Sequence, residues 1–470
     1  MLWLALHLPR LAVEVCAPRA PAVIAVQGRV RVPDLAAEAA GVCPGMRVGS
    51  ALGLAPGLTV CDPDPDREAA ALATLACWAG TFTPQVSLAP PQELLLEIGG
   101  CLRLFGGLPA LLSQVEAGAA SLGHAFRLGL APTPMAAQWL ARAGVAPNPG
   151  PPTPPLAAQV SPLPVGVLGL PERQHTQLAV LGLQTLGQVL ALPGAGLARR
   201  FGPGLPEQLA RALGQVPDPR PPFSFPQAFS QRLELPAKVE RAEHLLFAAR
   251  RLLLALGGWL AAHASGIRAC RLILVQDDTP ASELPLAFAT PTRDPDRLVR
   301  VLRERLERLN LAAPVTELRL DADTPEPLPG RSGGLFGDST AEAIAPVMER
   351  LRARLGQEAV HGLAAVADHR PECATRPTRL PGESPLVPVG PRPLGLLPAP
   401  EALEERRGQP WRHGRLRLLT RSERIESGWW DGGEGPGDQR RDYFVALSEA
   451  GEWLWIFQDR HGWWLHGYFA

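Results

Sequence analysis

The sequence predicts an α+β protein built from several domains. Its 470 residues, 46% of them hydrophobic, are enough to bury more than one core. Short strand-like apolar runs alternate with longer helical patterns, and proline-rich stretches at 147–164, 217–226 and 377–410 separate the blocks. Length alone indicates about three domains.

Charge and cysteine usage narrow the classes of function. The 46 Lys and Arg balance 46 Asp and Glu, so a nucleic-acid surface has to be local. The seven cysteines form no CxxC pair and show no zinc-ligand spacing to histidine, which predicts reduced thiols, a cytoplasmic protein and no metal. The longest apolar run, 252–262, is too short to span a bilayer, so no membrane partner is expected.

Two apolar runs predict central strands, at 2–8 and at 93–98, the second ended by a double glycine. No acid stands at the end of the first run. A lone histidine in an apolar strand is more often a satisfied core residue than a metal ligand, and we interpret His7 in that way. The second strand begins at Gln92 and Glu93.

These strands resemble the palm of Y-family DNA polymerases. In active members an acidic signature on the first strand and an Asp-Glu pair at the start of the second hold catalytic magnesium. Here Leu6, His7 and Gln92 stand at acid positions, and Glu93 alone keeps a carboxylate. A neutral amide cannot replace a carboxylate in clamping two divalent cations. The resemblance therefore implies a palm that cannot hold the catalytic magnesium ions, and a protein without a cofactor.

Residues 21–61 resemble the small fingers subdomain, with a Gly-Val-x-x-Gly-Met turn at 41–46. Active members carry Tyr-x-x-Arg before this turn and a lysine at a later strand-to-helix junction, and both basic residues contact the incoming triphosphate. This chain has Leu35 and Glu38 at the first pair and Gln138 at the second position. Because an acid repels a triphosphate, the nucleotide is not expected to bind in the usual pose.

A helical unit at 156–222 resembles the family's thumb. Within it, 180–187 followed by 188–192 is typical of a helix-hairpin-helix, whose glycines allow the backbone to approach a DNA phosphate. An ordinary packing corner between two helices is the alternative. The candidate DNA contacts of this unit are Gly182, Gly187, Arg199 and Arg200.

Residues 223–325 follow the order strand, helix, strand, strand, helix, strand, which resembles the ferredoxin-like little finger that lies on DNA. The candidate phosphate contacts here are Arg232, Lys238, Arg268 and Arg271. Arg268 and Arg271 are three residues apart, so a regular strand points them to opposite faces and only one is expected to meet DNA. A solvated sheet face is the alternative.

The stretch 331–338, RSGGLFGD, follows the little finger. It resembles the bacterial sliding-clamp-binding peptide, usually Gln-Leu-x-Leu-Phe, with Leu335 and Phe336 as apolar anchors. This chain lacks the Gln and the first Leu of that peptide and has Ser332 and Gly333 at their positions. A plain linker is the alternative.

The last 60 residues, 411–470, hold seven of the eleven tryptophans and predict a separate β-rich module with a hairpin at 459–462. Its end resembles the small terminal domain of ImuB-type proteins. We interpret the aromatic residues mainly as core. Stacking on single-stranded bases and a protein-interaction surface are the alternatives.

The order of these blocks resembles that of ImuB-type proteins, non-catalytic paralogues of Y-family polymerases in the DinB/UmuC-like superfamily. The implied domains are a palm (1–20 and 62–155), fingers (21–61), a helix-hairpin-helix thumb (156–222), a little finger (223–325), a clamp-motif linker and helix (326–376), a proline-rich tether (377–410) and the C-terminal module (411–470).

The resemblance implies an inactive, nucleoid-associated scaffold that binds primer-template DNA during translesion synthesis and damage-induced mutagenesis. Its implied partners are the sliding clamp, an ImuA-like protein related to RecA, and an error-prone C-family polymerase that performs the synthesis. An active Y-family polymerase is one alternative, and it needs carboxylates supplied from elsewhere. A helix-hairpin-helix glycosylase is another, but no catalytic Lys or Asp closely follows Gly187.

Overall fold

The computed structural model describes residues 1–16, 20–148, 150, 154–277, 279–322, 324–328, 347–348, 350–352, 354–356, 359–378, 391–430 and 439–469. The chain divides into two compact units, Met1–Arg354 and Leu355–Ala470. The predicted clamp anchors, Leu335 and Phe336, lie outside the described residues.

The first part of unit one is built on two β-sheets. In chain order the elements are β1 Trp3–His7, α1 Leu11–Cys16, β2 Ala22–Val26, β3 Arg29–Pro33, α2 Leu35–Ala39, α3 Val48–Leu54, β4 Thr59–Cys61, α4 Pro65–Ala79, β5 Val86–Ala89, β6 Glu93–Glu97, α5 Leu108–Ser121, β7 Arg127–Ala131 and α6 Pro134–Ala143. The larger sheet has the order β5-β6-β1-β7 with antiparallel pairings, and the smaller has the order β3-β2-β4. The smaller sheet is inserted after β1, as expected for fingers inserted into a palm.

The two central palm strands are buried on both faces. Leu4, Ala5 and Leu6 of β1 are at most 1% exposed, as are the three leucines of β6. A strand covered by helices on one face and by further structure on the other needs no polar alternation, which explains the continuous apolar runs.

The helical unit predicted as a thumb is formed by short helices. Its elements are α7 Leu156–Val160, a 3-10 helix Val165–Leu168, α8 Glu172–Val180, α9 Leu186–Leu190, α10 Gly194–Phe201 and α11 Gly204–Ala212. Leu186 and Leu205 share one hydrophobic core with Trp139 of α6 and Leu95 of the palm sheet. The thumb therefore packs directly on one face of the palm.

The predicted hairpin joins α8 to α9, and Gly182 adopts the left-handed conformation there, with φ of 72°. The eight consecutive backbone amides of 181–188 all donate to acceptors within the unit. The amide of Gly187 donates to the Ser161 carbonyl at 2.8 Å, and a Cβ on Gly187 would lie 3.1 Å from that oxygen. The amides of Gly182 and Gly187 are therefore engaged within the unit, as in a packing corner between two helices, and a contact of these glycines with a DNA phosphate stays a prediction.

The region predicted as a little finger has the predicted element order. Its elements are β8 Phe229–Val239, a 3-10 turn Ala242–His244, α12 Leu245–Ala262, β9 Ser265–Gln276, β10 Ser282–Thr292, α13 Pro295–Leu306, β11 Val315–Ala322 and the short β12 Glu326–Pro327. The antiparallel sheet runs β10-β9-β11-β8, so the fourth long strand lies between the first and the second, and β12 pairs with β9. Both long helices contribute to its core.

Helix α12 is longer than the apolar run that predicted it. Together with the preceding turn it is, in the part of the chain that the structure describes, the one helix whose length and composition would allow it to cross a membrane. More than half of its most apolar window is buried, and Leu252, Leu256 and Trp259 lie in the core under the sheet. Packing within the domain explains its apolar character.

Helix α12 also touches α4 of the palm, backbone against backbone. A Cβ on Gly258 would lie 2.2 Å from the Cys77 carbonyl oxygen and 2.5 Å from that of Trp78, while a Cβ on Gly80 would lie 2.6 Å from the Gly258 oxygen. Only glycine permits helices to approach so closely. This backbone contact packs the domain of the β8–β11 sheet directly against the palm.

Replacing Gly258 with alanine should lower the free energy of unfolding by roughly 1–3 kcal/mol, because α12 must shift away from two carbonyl groups. Urea unfolding measures the change. Gly196→Ala in α10 is the matched control: its Cβ would meet no atom within 4 Å, and alanine is the better helix former. Equal stability of the two variants would contradict the close approach of α12 and α4.

The second unit is a β-rich module. Its elements are β13 Gly362–Ala365, a 3-10 turn Pro371–Cys373, β14 Thr375–Thr378, β15 Gly395–Ala402, β16 Glu404–Arg406, β17 Gln409–Trp411, β18 Arg417–Leu418, β19 Glu423–Ser427, β20 Gln439–Leu447, β21 Trp453–Asp459 and β22 Gly462–Tyr468. The main sheet runs β15-β22-β21-β20-β18, with β19 also paired to β20. Because β15 pairs with β22, the module begins before 411, and the predicted tether to residue 410 is too long.

The aromatic residues of this module divide into two groups. Trp455 and Trp463 are buried, and the Trp455 ring stacks on Tyr443 with 4.1 Å between centroids. Trp429, Trp430 and Trp453 remain more than half exposed. The core interpretation therefore holds for part of the tryptophans and not for these three.

Candidate functional site

The palm site begins with a cross-strand pair. The antiparallel register of β1 and β6 sets His7 directly opposite Glu93. Both residues are buried, and His7 Nδ1 lies 3.0 Å from Glu93 Oε1. His7 is thus a core histidine with a partner, in line with its sequence-based interpretation.

Helix α6 supplies the other contacts to the carboxylate. Arg142 binds Glu93 with two nitrogens, Nε to Oε1 at 2.6 Å and Nη2 to Oε2 at 2.7 Å. Gln138 Nε2 donates to Oε2 at 2.8 Å. Because Gln138 and Arg142 are four residues apart, one face of the helix presents both to the start of β6. Every oxygen of Glu93 therefore has at least two partners.

The approach of α6 to the sheet depends on Gly129 in β7. A Cβ at this position would lie 2.2 Å from the Ala137 oxygen and 2.3 Å from the Ala141 nitrogen. The helix begins at Thr133, whose hydroxyl accepts from the Ala136 amide, and ends at Gly144 in the left-handed conformation. These features fix the face that carries Gln138 and Arg142.

The Glu93 carboxyl is ionised despite its burial. Burial has the largest effect and by itself raises the pKa, but the hydrogen bonds and charges of Arg142 and His7 together outweigh it and lower the pKa to about 2. The bidentate arginine fork supplies two charge-assisted hydrogen bonds in a poorly solvated site. The negative charge is consequently present but fully compensated by the protein.

The catalytic magnesium of active Y-family palms does not fit these residues. Of the four compared palm positions, Leu6, His7 and Gln92 carry no carboxylate, and the carboxylate oxygens of Glu93 are taken by side chains of the protein. Throughout the described ranges there is no group of three or more His, Cys, Asp or Glu side chains that could hold a metal ion. A second carboxylate is what a two-cation clamp requires.

The three residues compared with the family's nucleotide-contact positions lie in different surroundings. Gln138 is only 4% exposed and faces Glu93 inside the palm. Leu35 is 66% exposed. Glu38 forms an ion pair with Arg10 at 2.5 Å.

Sequence reasoning missed Arg10 and Arg142. Arg142 also donates through Nη1 to the Val167 carbonyl at 2.7 Å, which joins the palm to the 3-10 helix of the thumb. Its position four residues after Gln138 on a predicted helix was the available signal. Nothing in the sequence signals that Arg10 reaches Glu38.

The charged residues predicted to contact DNA lie on α10, β8 and β9. Arg199 and Arg200 are exposed at the end of α10. Lys238 pairs with Asp277, and Arg268 with Glu326 at 3.0 Å. Arg232 and Arg271 lie on the sheet face turned away from the core.

That sheet face carries mixed charge. Strand register and alternation place three arginines and four acids on it: Arg232, Arg271, Arg319, Glu234, Glu283, Glu317 and Asp321. Arg319 pairs with Asp321 at 3.1 Å. A phosphate backbone prefers a surface with excess positive charge, and these seven residues provide none.

Comparison with known proteins identifies the family. A family model described as the impB/mucB/samB family matches residues 17–142. Two proteins named Protein ImuB, from Caulobacter vibrioides strains NA1000 / CB15N and ATCC 19089 / CIP 103742 / CB 15, are each 32% identical over 471 residues, covering 92% of this chain and 100% of theirs. The chain belongs to the ImuB family. The resemblance inferred from the sequence is thereby confirmed.

Solved structures similar to this ImuB-family chain include Y-family polymerases. A Dbh ternary complex is 18% identical with a TM-score of 0.37, covering 69% of this chain and 99% of that one. DinB from Sulfolobus solfataricus is 16% identical with a TM-score of 0.38, covering 69% and 98%.

Glu93→Gln should lower the free energy of unfolding of this ImuB-family chain by about 3 kcal/mol near neutral pH, because it leaves Arg142 without its counter-charge. The side chain of Arg142 is 28% exposed, which places the loss at the lower end of the range for buried pairs. Urea unfolding measures it. Glu116→Gln, at an exposed position of α5, is the control and should change stability by less than about 0.5 kcal/mol.

The same pair of proteins gives a pH test. The folded pKa of about 2 lies below the pKa of 4.5 in the unfolded chain, so the stabilisation by Glu93 is complete above about pH 4.5 and is lost as the pH falls toward 2. The stability difference between the unsubstituted protein and Glu93→Gln should therefore shrink in acid. A difference that stays constant down to the acid unfolding limit would contradict the assigned ion pair.

Proposed function

We propose that this ImuB-family chain is a DNA-binding scaffold that does not itself add nucleotides. The observation that carries the proposal is the Glu93 carboxylate, whose oxygens are held by Arg142, Gln138 and His7. A cation at Glu93 would have to displace a bidentate arginine from a buried site, and no second acid stands at the compared positions to help.

The proposed ligand is primer-template DNA. Support comes from the shared domain order with Y-family polymerases and from the exposed Arg199 and Arg200 of α10. Arg232 and Arg271 are secondary candidates because acids share their sheet face. Phosphate contacts position a protein on DNA without reading sequence, which suits a scaffold.

The proposed partners follow from an inactive palm. A protein that holds damaged DNA without copying it needs a polymerase to perform the synthesis, and the C-family enzyme implied by the family resemblance fills this role. The ImuA-like protein would join the same complex, and the sliding clamp would tether it in the cytoplasm at the nucleoid. An active Y-family polymerase is the alternative, and it requires the Glu93–Arg142 pair to open when DNA and nucleotide bind.

The catalytic part of the proposal is tested by primer extension. With magnesium or manganese and excess protein over primer-template DNA, we expect a mobility shift of the DNA and no template-directed incorporation, since the palm cannot hold two cations. Glu93→Ala protein prepared in parallel is the control for contaminating polymerase. Incorporation that disappears in Glu93→Ala would establish an active enzyme instead.

The clamp partner is tested with Leu335→Ala plus Phe336→Ala. Loss of two apolar anchors should reduce capture of the full chain by immobilised clamp at least about tenfold, because such anchors dominate peptide binding. Leu351→Ala plus Leu355→Ala, at exposed leucines further along the chain, is the matched control. Equal capture of both double variants would remove the clamp from the proposal.

A further inference from the structure

We propose that a cleft in the fingers binds the phosphate backbone of nucleic acid. The cleft has a volume of about 670 Å³ and lies between the β2–β3 turn and the start of α3. Its wall includes Arg29, Arg47 and Ser50, with Gly28 and Gly49 between them. This inference rests on the proposed DNA-binding function and adds a contact far along the chain from the thumb arginines.

The two arginines of the cleft are direct backbone partners. Arg29 and Arg47 form an antiparallel bridge, so their side chains leave the same side of the backbone, with Cβ atoms about 4.5–5.5 Å apart. Like charges placed directly opposite each other destabilise a pair of strands. Both side chains are exposed, and none of the residues that line the cleft is acidic. An oxyanion bound between the guanidinium groups would convert this repulsion into two charge-assisted contacts.

The backbone holds the pair in place without a ligand. The Gly45 amide donates to the Val30 carbonyl at 2.7 Å, the Val30 amide to Met46 at 2.8 Å, and the Val48 amide to Gly28 at 3.0 Å. Arg29 Nη1 donates to the Gly45 carbonyl at 2.8 Å, which fixes one side of its guanidinium. A guanidinium has five N–H donors, so several remain for a bound phosphate. The site is therefore largely preorganised.

The shape of the cleft favours an extended polyanion over a small free anion. The site is open and its arginines are exposed, so one small anion would stay largely hydrated and bind weakly. A Cβ on Gly28 or Gly49 would meet no atom within 4 Å, which leaves room for a sugar-phosphate chain beside the backbone. Arg31 is exposed two residues beyond Arg29, about 6.6 Å along the strand.

Arg31 itself is not assigned to the cleft. Its positive charge interacts with the Glu68 carboxylate of α4, so Arg31 already has an acidic partner within the protein. Arg29 and Arg47 carry the site, and Ser50 can add a hydroxyl donor.

The test uses the full chain and a fluorescent primer-template with a single-stranded template overhang. Arg29→Gln plus Arg47→Gln should weaken binding about tenfold and make the slope of log affinity against log salt shallower by about 1–2, one phosphate contact per arginine. Arg103→Gln plus Arg250→Gln removes two exposed arginines from elsewhere and is the matched control, expected to stay within about twofold. Arg29→Lys plus Arg47→Lys keeps both charges and should keep most of the salt slope.

Each outcome decides a separate point. If the unsubstituted protein binds no DNA, the proposed function and this inference both fail. If it binds DNA and the Arg29/Arg47 glutamine variant behaves like the matched control, with unchanged thermal unfolding, only the finger cleft is overturned. If inorganic pyrophosphate binds the unsubstituted protein but not the glutamine variant, while both bind DNA equally, the cleft takes free anions and the nucleic-acid assignment is wrong.

Discussion

The ion pair between Glu93 and Arg142 is the interaction on which the palm depends. Its two N–H···O contacts, 2.6 and 2.7 Å long, join the first residue of β6 to α6. The remaining arginine nitrogen continues to the thumb through the Val167 carbonyl. The Arg142 side chain therefore connects α6 to the central strand β6 and to the thumb. The Glu93 carboxylate is thereby neutralised by a cation of the protein itself.

An internal arginine and a pair of metal ions have different consequences for a carboxylate. Both keep it ionised inside a protein, and the low pKa of Glu93 reflects the arginine. A metal pair leaves coordination positions open for substrate oxygens, whereas a bidentate arginine closes the site. In this chain the bidentate arginine also connects the palm sheet to the thumb.

Much of this architecture could be predicted from the sequence, because periodicity and turn chemistry act locally. The strands β1 and β6, the helices α4 and α5, and the order of elements around α12 and α13 follow directly from apolar patterns. The absence of acids at Leu6, His7 and Gln92 is also a sequence fact. That three of the four compared positions lack a carboxylate was therefore predictable.

Contacts between residues far apart in the sequence could not be predicted. The partnership of Arg142 with Glu93 spans 49 residues and needs the register of α6 on the sheet, which Gly129 allows. The amides of the hairpin glycines are used inside the thumb, and for Gly187 this depends on the position of Ser161, 26 residues earlier in the chain. The start of the C-terminal module was misplaced because β15 has no strong apolar alternation and is defined by its pairing with β22.

The most direct test of the central claim is anomalous X-ray diffraction from crystals of the full chain with primer-template DNA, an incoming nucleotide and manganese. We expect no manganese peak at the palm, with the Glu93–Arg142 pair intact. A manganese ion bound to a Glu93 carboxylate oxygen, with Arg142 displaced, would contradict the account.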